Sequence, residues 1–322
     1  MSKRAERASA TAPPLYITMG EPAGIGPEIA VAAYRVLDGR VGRRALKLVG
    51  DPAVFRACGR VPAGALIDTG VRATCMPGKP SPRNAAAVTA ALSHATQAAM
   101  CGEAAAIITA PIQKATLTAA GFAFPGHTEY LQHLTGARRA VMMLASARLR
   151  VVPQTIHIPL SDVPAQLNAG SIFETANIIL AALQHDFGIA KPRLAVAGLN
   201  PHAGEAGTIG KEEKTVILPA LRRLRTLGHH VLGPLSADTL FHDAARRHYD
   251  AALCMYHDQA LIPIKTLSFW DGVNVTLGLP IVRTSPDHGT ALDIAGKKKA
   301  DTRSMIAAIH MAATIAARRT KA

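Results

Sequence analysis

Residues 194–227 read LAVAGLNPHAGEAGTIGKEEKTVILPALRRLRTL. The stretch begins with an apolar run, Leu194–Leu199, passes through a turn rich in Gly and Pro, and continues as a helical pattern over Lys211–Leu227. Apolar runs of about four to eight residues bounded by turn residues predict buried strands, and apolar spacing of three and four predicts an amphipathic helix. The stretch is therefore predicted to be one strand-turn-helix unit.

The same order of elements recurs along the chain and predicts an α/β fold. Further strands are predicted at Leu15–Met19, Ala45–Val49, Ala104–Thr109, Ala140–Leu144, Leu149–Thr155 and Ala251–Met255. Further helices are predicted at Gly26–Leu37, Asn84–Cys101, Ile172–Phe187, Thr239–Arg247 and Ser304–Arg319. The sequence shows no internal repeat and no low-complexity linker, so we expect any domain boundary to lie within this pattern.

The composition limits the classes of protein that fit the chain. Hydrophobic residues make up 49% of its 322 residues and aromatic residues 4%, as in proteins whose helices pack on a sheet rich in Ala, Val, Ile and Leu. A net charge of +14 raises nucleic-acid binding as an alternative. The basic residues are scattered, however, with a run only at Lys297–Lys299, so we expect them to attract anionic substrates and expect no nucleic-acid partner.

Cysteine spacing and hydropathy indicate the compartment. The four cysteines form no C-x-x-C pair, which disfavours a zinc ribbon or a disulfide framework and favours a reducing compartment, the cytoplasm. A long stretch without acidic or basic residues, Asn84 to Gly102, carries Ser, Thr, His and Gln and predicts an amphipathic helix, so no membrane association is expected. Residues 1–12 contain Glu6 and lack an apolar segment, which predicts a flexible tail rather than a targeting peptide.

Three histidines directly follow strand-like runs of the predicted sheet: His157, His202 and His257. Because the carboxyl ends of strands in an open α/β sheet point into the ligand crevice, we expect the three imidazoles to converge. Three imidazoles hold zinc with one position open for substrate or water, and they accept other divalent ions. A loop hydrogen bond explains any single one of them more simply, but the same placement in three units favours a metal site.

Charged side chains close to these histidines are candidates for accepting a proton from the substrate. Asp258 adjoins His257, and Asp238 ends a turn that begins with Gly and Pro. A carboxylate either orients a ligand histidine or takes a proton from an alcohol. Asp238 also suits the N-cap of the helical pattern that follows it. Lys265 is the third candidate, and the sequence does not choose among the three.

Cationic and neutral donors suited to an oxyanion occur in two regions of the chain. Arg283 follows an apolar, strand-like segment, where a charged residue is uncommon. Arg and Lys supply charge, and Asn, Thr and His supply neutral donors. The candidates for binding a phosphorylated substrate are His127, Thr128, Lys265, Asn274 and Arg283.

No G-x-G-x-x-G fingerprint follows a predicted strand, so the sequence does not support a Rossmann dinucleotide site. The segment Asp287–Gly296 is instead rich in small residues, so a ligand can approach its backbone closely, and Asp293 suits a ribose hydroxyl. Composition alone predicts only a turn in this segment.

Several segments resemble the 4-hydroxythreonine-4-phosphate dehydrogenase family, and the likeness extends over roughly residues 15–315. They are Thr18–Glu28 (TMGEPAGIGPE), Thr109–Pro111 with Lys114, Pro125–Glu129 (PGHTE), His157–Leu160 (HIPL), Gly198–Glu205 (GLNPHAGE), Tyr256–Gln259 (YHDQ) and Thr284–Ala291 (TSPDHGTA). The resemblance implies an isopropylmalate dehydrogenase-like fold, a three-layer α/β/α arrangement with two domains flanking a central active-site cleft. It places the cofactor in residues 13–135 plus 275–322, and dimerisation and metal binding in residues 136–274.

The resemblance also implies the ligands. A divalent metal, zinc, magnesium or cobalt, is expected on His157, His202 and His257, and the substrate on the five candidates named above. NAD or NADP is expected on the small-residue loop, and a homodimer is expected to share its active site between subunits. The implied cofactor residues are His288, Gly289, Thr290, Ala291 and Asp293.

The implied activity is the NAD(P)-dependent oxidation of 4-phosphooxy-L-threonine to 2-amino-3-oxo-4-phosphooxybutanoate. Decarboxylation to 3-amino-2-oxopropyl phosphate follows, within pyridoxal phosphate biosynthesis. Gln113 and a short Pro62–Ser81 segment depart from many members, which leaves as an alternative a relative acting on phosphorylated threonate or erythronate, or on a cis-dihydrodiol dicarboxylate. A three-histidine zinc hydrolase, which needs no dinucleotide, is the competing hypothesis from another class.

Overall fold

The computed structural model describes residues 12–320, so the predicted N-terminal tail lies outside them except for its last residue. The strands are β1 (Leu15–Thr18), β2 (Arg40–Val41), β3 (Arg44–Gly50), β4 (Leu66–Asp68), β5 (Ala106–Thr109), β6 (Val141–Ala145), β7 (Arg150–Pro153), β8 (Arg193–Ala197), β9 (His230–Leu235), β10 (Ala251–Cys254), β11 (Val273–Leu277) and β12 (Arg283–Pro286). The helices are α1 (Gly26–Val36), α2 (Pro52–Cys58), α3 (Ala85–Met100), α4 (Lys114–Ala119), α5 (His127–Thr135), α6 (Val163–Gln166), α7 (Ala169–His185), α8 (Leu218–Thr226), α9 (Ala237–Leu240), α10 (Asp243–Arg246), α11 (His257–Leu267) and α12 (Arg303–Arg319).

The chain divides into two compact units. The N-terminal unit runs up to Ala137 and includes Leu279–Ala316, and the middle unit comprises Arg138–Gly278 with residues 317–320. The sequence predicts the exchanges between domains at residues 135/136 and 274/275. The cofactor, dimerisation and metal-binding roles that it gives to the two domains stay predictions.

A mostly parallel sheet forms the core of the N-terminal unit. β1 lies between β3 and β5, and β12 and β4 extend the sheet in the same direction on either side. β2 pairs with β3 antiparallel. Every residue of β1, β5 and β12 is buried, as expected of parallel strands covered on both faces. Helix α3 packs on β1, β3 and β5.

The middle unit is built on a mixed sheet in the order β11-β6-β7-β10-β8-β9. β10 lies parallel to both β7 and β8, while β6 is antiparallel to β7 and to β11. Helix α7 begins where the Asn168 side chain accepts a hydrogen bond from the Ser171 amide at 2.8 Å. The three predicted metal-binding histidines follow strands β7, β10 and β8. Because β10 is parallel to both of the other strands, the carboxyl ends of all three meet at one edge of the sheet.

The predicted α/β class is confirmed. The elements without a counterpart in the prediction include strands β2, β4 and β11 and the helices α2, α4, α5 and α6, and three further elements differ from the prediction for a local reason. The helix predicted at Thr239–Arg247 is broken into α9 and α10, because His242 has an extended backbone. The helix predicted at Lys211–Leu227 starts as a single π-helical turn, Glu213–Ile217, before α8. Strand β9 was missed because it contains Gly-Pro, which is typical of a turn but is tolerated in a strand at the edge of a sheet. Among residues 12–320, no helix is long and apolar enough to cross a membrane.

Candidate active site

The carboxyl ends of β7 and β10 bring two of the predicted metal ligands together. The ring centroids of His157 and His257 lie 5.8 Å apart, at an interplanar angle of 42°. Nδ1 of His257 is 2.7 Å from a carboxylate oxygen of Asp258, which fixes the orientation of the ring. Among residues 12–320, no three His, Cys, Asp or Glu side chains of the chain are grouped so as to hold a metal ion. The structure therefore pairs His157 with His257 but does not complete the set with His202.

Two polar side chains tie the three histidine-bearing loops to one another. The Gln259 carboxamide accepts a hydrogen bond from the Met255 amide at 2.7 Å and donates one to the Gly198 carbonyl at 2.8 Å. Gln259 thereby joins the end of β10 to the end of β8. The Thr155 hydroxyl donates to the Met255 carbonyl at 2.8 Å and joins the end of β7 to the end of β10. These bonds fix the starting points of all three loops.

His202 lies on a turn with an uncommon backbone conformation. His202, Ala203, Glu205 and Ala206 have φ values of 52°, 51°, 39° and 57°, and Gly204 has 75°. Each left-handed residue other than glycine costs roughly 1–2 kcal/mol, so the surrounding structure must stabilise the turn. Backbone strain of this kind is concentrated at functional sites.

The buried carboxylate of Glu213 supplies that stabilisation. Its Oε1 accepts hydrogen bonds from the amides of Leu199 and Asn200, both at 2.8 Å, and its Oε2 accepts one from the Asn200 carboxamide at 3.0 Å. Glu213 is 3% exposed. A Cβ at Gly204 would collide with Oε2 of Glu213, so only glycine fits where the turn meets this carboxylate. Glu213 therefore holds the approach to His202.

The three candidate proton acceptors lie in the middle unit and differ in environment. Asp238 is exposed in the first turn of α9, where Ser236 rather than Asp238 occupies the N-cap. A hydrogen bond from the Ser236 hydroxyl, with a smaller contribution from His202, lowers the pKa of Asp238. Asp258 contacts His257, and Lys265 lies on the last turn of α11 with its ammonium 5.9 Å from the centre of the Phe269 ring.

A buried arginine and a buried imidazole nitrogen form a second site, in the N-terminal unit. Arg283 is 2% exposed and donates two hydrogen bonds to the Thr109 hydroxyl, at 2.7 and 3.1 Å. Burial lowers the pKa of Arg283 to about 10, so the guanidinium is still charged at neutral pH. Burial, followed by the charges of Arg283 and Lys114, holds the pKa of His127 well below its ordinary value. His127 is therefore neutral, and its buried Nε2 has no hydrogen-bond partner among the described residues.

The remaining predicted substrate residues are divided between the units. Thr128 follows His127 in the first turn of α5, whereas Lys265 and Asn274 belong to the middle unit. The side-chain oxygen of Asn274 is buried on β11 without a hydrogen-bond partner in the described part of the chain. A buried polar atom without a partner is uncommon and is typical of a site that receives a ligand.

The predicted cofactor loop packs on the turn between β1 and α1. The Ile25 amide donates a hydrogen bond to the Thr290 carbonyl at 2.9 Å, and a Cβ at Gly24 would lie only 2.9 Å from that carbonyl oxygen. The Gly296 amide lies 3.3 Å from the carboxylate of Glu28. A Cβ at Gly289 would meet no atom within 4 Å, so the backbone there faces open space. Nδ1 of His288 is 2.9 Å from the Gly289 carbonyl, and Asp293 is exposed.

Comparison with known proteins identifies the family. The family model described as pyridoxal phosphate biosynthetic protein PdxA matches residues 38–312. The chain is 54% identical to the 4-hydroxythreonine-4-phosphate dehydrogenase of Roseobacter denitrificans, over 95% of this chain and 98% of the relative. The chain belongs to the PdxA family.

Two solved structures agree with membership of the PdxA family. The 4-hydroxythreonine-4-phosphate dehydrogenase of Klebsiella pneumoniae superposes with a TM-score of 0.81 at 36% identity, covering 94% of this chain and 99% of that one. The terephthalate 1,2-cis-dihydrodiol dehydrogenase of Burkholderia xenovorans superposes with a TM-score of 0.67 at 30% identity, covering 93% and 97%. The family resemblance seen in the sequence and the α/β fold that it implies are thereby confirmed.

Two residues that fix the histidine-bearing loops, Glu213 and Gln259, carry no local signal of that role in the sequence. Glu213 occurs in the sequence KEEK, which is typical of an exposed helix, and no local signal distinguishes it from Glu212. Gln259 occurs in the YHDQ motif, in which His257 is the predicted functional residue. Only the long-range contacts to Gly198, Leu199 and Asn200 show what the two side chains do.

Proposed function

We propose that the protein is a 4-hydroxythreonine-4-phosphate dehydrogenase of pyridoxal phosphate biosynthesis, acting in the cytoplasm. The observation that carries the proposal is the placement of His157, His202 and His257 after three neighbouring parallel strands. Membership of the PdxA family supports the dehydrogenase activity and the phosphorylated substrate. The proposed reaction converts 4-phosphooxy-L-threonine to 2-amino-3-oxo-4-phosphooxybutanoate, which decarboxylates to 3-amino-2-oxopropyl phosphate.

The three imidazoles would hold a divalent metal, and their chemistry fits one. Imidazole nitrogen suits zinc and cobalt better than magnesium, which prefers oxygen ligands, so the donor set favours the first two. When bound, the metal supplies Lewis acidity that lowers the pKa of a substrate hydroxyl and polarises a carbonyl. The contact of His257 with Asp258 and the left-handed turn at His202 orient two of the imidazoles.

A homodimer with a shared active site accounts for the distribution of exposed apolar side chains. Many of the large apolar residues that are exposed in the described chain lie in the middle unit, several of them close in sequence to the predicted metal ligands. They include Ile158, Leu160, Ile209, Ile262, Phe269 and Trp270. A partner subunit would remove these apolar side chains from water, and it would supply the imidazole that one chain does not bring into place. Sedimentation that shows a fully active monomer at assay concentration overturns this part of the proposal.

The substrate residues suit a phosphorylated hydroxy acid. Arg283 supplies a permanent charge and a planar set of donors for the phosphate, and His127 supplies a neutral imidazole. Thr128, Lys265 and Asn274 complete the proposed set. The acceptor of the hydroxyl proton is one of Asp238, Asp258 and Lys265; the lowered pKa of Asp238 keeps it ionised and ready to accept a hydrogen bond.

NAD or NADP is proposed to bind the loop of His288, Gly289, Thr290, Ala291 and Asp293. The open space at Gly289 allows a cofactor to approach the backbone, and Nε2 of His288 is buried without a partner among the described residues. The nicotinamide supplies the hydride acceptor when bound. Asp293 is exposed and suits a ribose hydroxyl, which fits the dinucleotide.

The proposal is tested with purified protein, each divalent metal in turn, and NAD or NADP, following reduction of the nicotinamide by absorbance. The substrate panel contains 4-phosphooxy-threonine, phosphorylated threonate and erythronate, and a cis-dihydrodiol dicarboxylate. The last is the second candidate, because the chain is 30% identical to a terephthalate dihydrodiol dehydrogenase of the same fold. Faster oxidation of any other member of the panel overturns the assignment of 4-phosphooxy-threonine. Turnover without a dinucleotide supports the hydrolase alternative.

A further inference from the structure

Lys114 occupies a fixed place beside the arginine site of the N-terminal unit. It is the first residue of α4 and follows Thr109, the last residue of β5, by a short segment. The Thr109 hydroxyl accepts two hydrogen bonds from Arg283, and β12 pairs with β5 in parallel register from Arg283 onward. The end of β5 therefore fixes Arg283 directly and leads the chain to Lys114.

The ammonium of Lys114 lies against the start of α5. A Cβ added at Gly126, the residue before His127, would be 3.4 Å from Cε of Lys114 and 3.6 Å from its Nζ. The same point is 3.5 Å from Oε2 of Glu129. Gly126 has φ −177°, an extended conformation open to any residue, so the backbone does not require glycine here. The missing side chain instead leaves space between the ammonium and the first turn of the helix.

Two cations and one carboxylate lie around this space. Arg283 and Lys114 both act on His127 and lower its pKa, so both cations lie near the His127 imidazole. Glu129 is the carboxylate that acts on Arg283, and within residues 12–320 Lys114 forms no ion pair or hydrogen bond through its side chain. An anion placed beside His127 would be attracted by both cations.

We propose that Lys114 is a further phosphate-binding residue, which together with Arg283 and His127 receives the phosphate of the substrate. The inference rests on the proposed function, since it takes the anion to be the phosphate of a phosphorylated hydroxy acid. A phosphate monoester carries a charge of about −1.5 to −2 near pH 7, which two cations match, whereas a carboxylate needs one. The backbone amides of the first turn of α5 add donors on the same side.

Three variants test the proposal: Lys114→Met, which keeps the aliphatic length, Lys114→Arg, which keeps the charge, and Lys79→Met, a control at an exposed lysine of the same unit. Binding of inorganic phosphate is measured by titration calorimetry, and KM and kcat are measured with 4-phosphooxy-threonine and with unphosphorylated hydroxythreonine. Loss of one charge-assisted bond weakens binding about tenfold, so Lys114→Met should weaken phosphate binding and raise KM for the phosphorylated substrate by about that factor. Lys114→Arg should recover most of the loss, and Lys79→Met should resemble the parent protein.

The unphosphorylated substrate separates binding of the phosphate from damage to the fold. Lys114→Met should leave its KM and kcat unchanged, and the thermal midpoint should stay within about 2 °C of the parent's, as for other surface substitutions. Phosphate binding by Lys114→Met equal to that of the parent overturns the inference, as does an equal loss with both substrates. Should the parent protein oxidise none of the substrates, the proposed function fails, while the phosphate titrations of the parent and of Lys114→Met still decide the role of Lys114.

Discussion

Replacing Glu213 by Ala should release the turn that carries His202. The amides of Leu199 and Asn200 would lose their acceptor, and the Asn200 carboxamide would keep only its hydrogen bond to Glu212. A buried donor without a partner costs about 1–3 kcal/mol, and since Leu199 and Asn200 are partly exposed, water will satisfy some of them, which gives a total of about 2–5 kcal/mol. The thermal midpoint should then fall by roughly 4–20 °C, at about 2–4 °C per kcal/mol for a unit of this size.

The strained turn is the part of the unit that should respond first to the loss of the Glu213 carboxylate. Four residues other than glycine hold left-handed backbone at a cost of roughly 1–2 kcal/mol each, which together is at least as large as the stabilisation lost with Glu213. Without the carboxylate, the turn should therefore relax before the unit unfolds, and His202 should leave its position. The affinity for a divalent metal should then fall. Global destabilisation, measured as the fall in thermal midpoint, should account for only part of that loss.

The assay measures zinc or cobalt affinity by titration and the thermal midpoint at fixed protein concentration, with chelator present for the midpoint. Glu213→Gln keeps the shape of the side chain and one carbonyl acceptor, so it should lie between the parent and Glu213→Ala. Lys214→Ala, at the exposed neighbouring position, is the matched control. Unchanged metal affinity in Glu213→Ala, together with a lowered midpoint, would refute the claim that Glu213 positions His202.

Three further outcomes test the remaining parts of the site. Replacing His157, His202 or His257 by Ala should remove bound metal and turnover while the circular dichroism spectrum is kept; a metal-free His202→Ala protein of full activity contradicts the metal site. Because burial and nearby cations hold the pKa of His127 below its ordinary 6.5, the unfolded chain binds a proton more readily than the native one, so stability should be full above that pH and decline as pH falls below it. His127→Gln should reduce this decline in thermal midpoints between about pH 7.5 and about pH 5, and an equally steep decline in the variant excludes the histidine as its cause. Arg283→Ala should reduce kcat/KM far more with the phosphorylated substrate than with its dephosphorylated analogue, and equal losses contradict a phosphate contact.

Sequence alone predicted the strands that form the histidine-bearing edge, because their signal is local. β7, β8 and β10 are short apolar runs followed by turn residues, and parallel neighbours bring their carboxyl ends to one edge. No single segment of the sequence specifies the order of neighbouring strands in the sheet. That β10 lies between β7 and β8 emerges only from the structure, and this order explains why His157 and His257 are close to one another.

The residues that support the site could not be found in the same way, because burial gives them their roles. The sequence around Glu213 predicts an exposed helix face, yet the side chain is buried where the segment before the left-handed turn presents two amides to it. The break between α9 and α10 has a similar origin. An apolar pattern continues through Phe241, but the extended backbone at His242 ends the first helix. At both places the structure differs from what local propensity predicts, because tertiary contacts outweigh that propensity.

The burial of the Arg283 side chain follows from its position in the sheet and is not predicted by the local sequence pattern. Its segment predicts an ordinary buried strand, and a guanidinium there would be costly unless the protein used the charge. The pKa of Arg283 falls to about 10 and therefore leaves the group cationic, whereas that of His127 falls far enough to leave the imidazole neutral. The same burial thus yields one permanent charge and one neutral polar group side by side. A dianionic phosphate gains from the first without depending on protonation of the second, so its binding to this pair should persist across neutral pH.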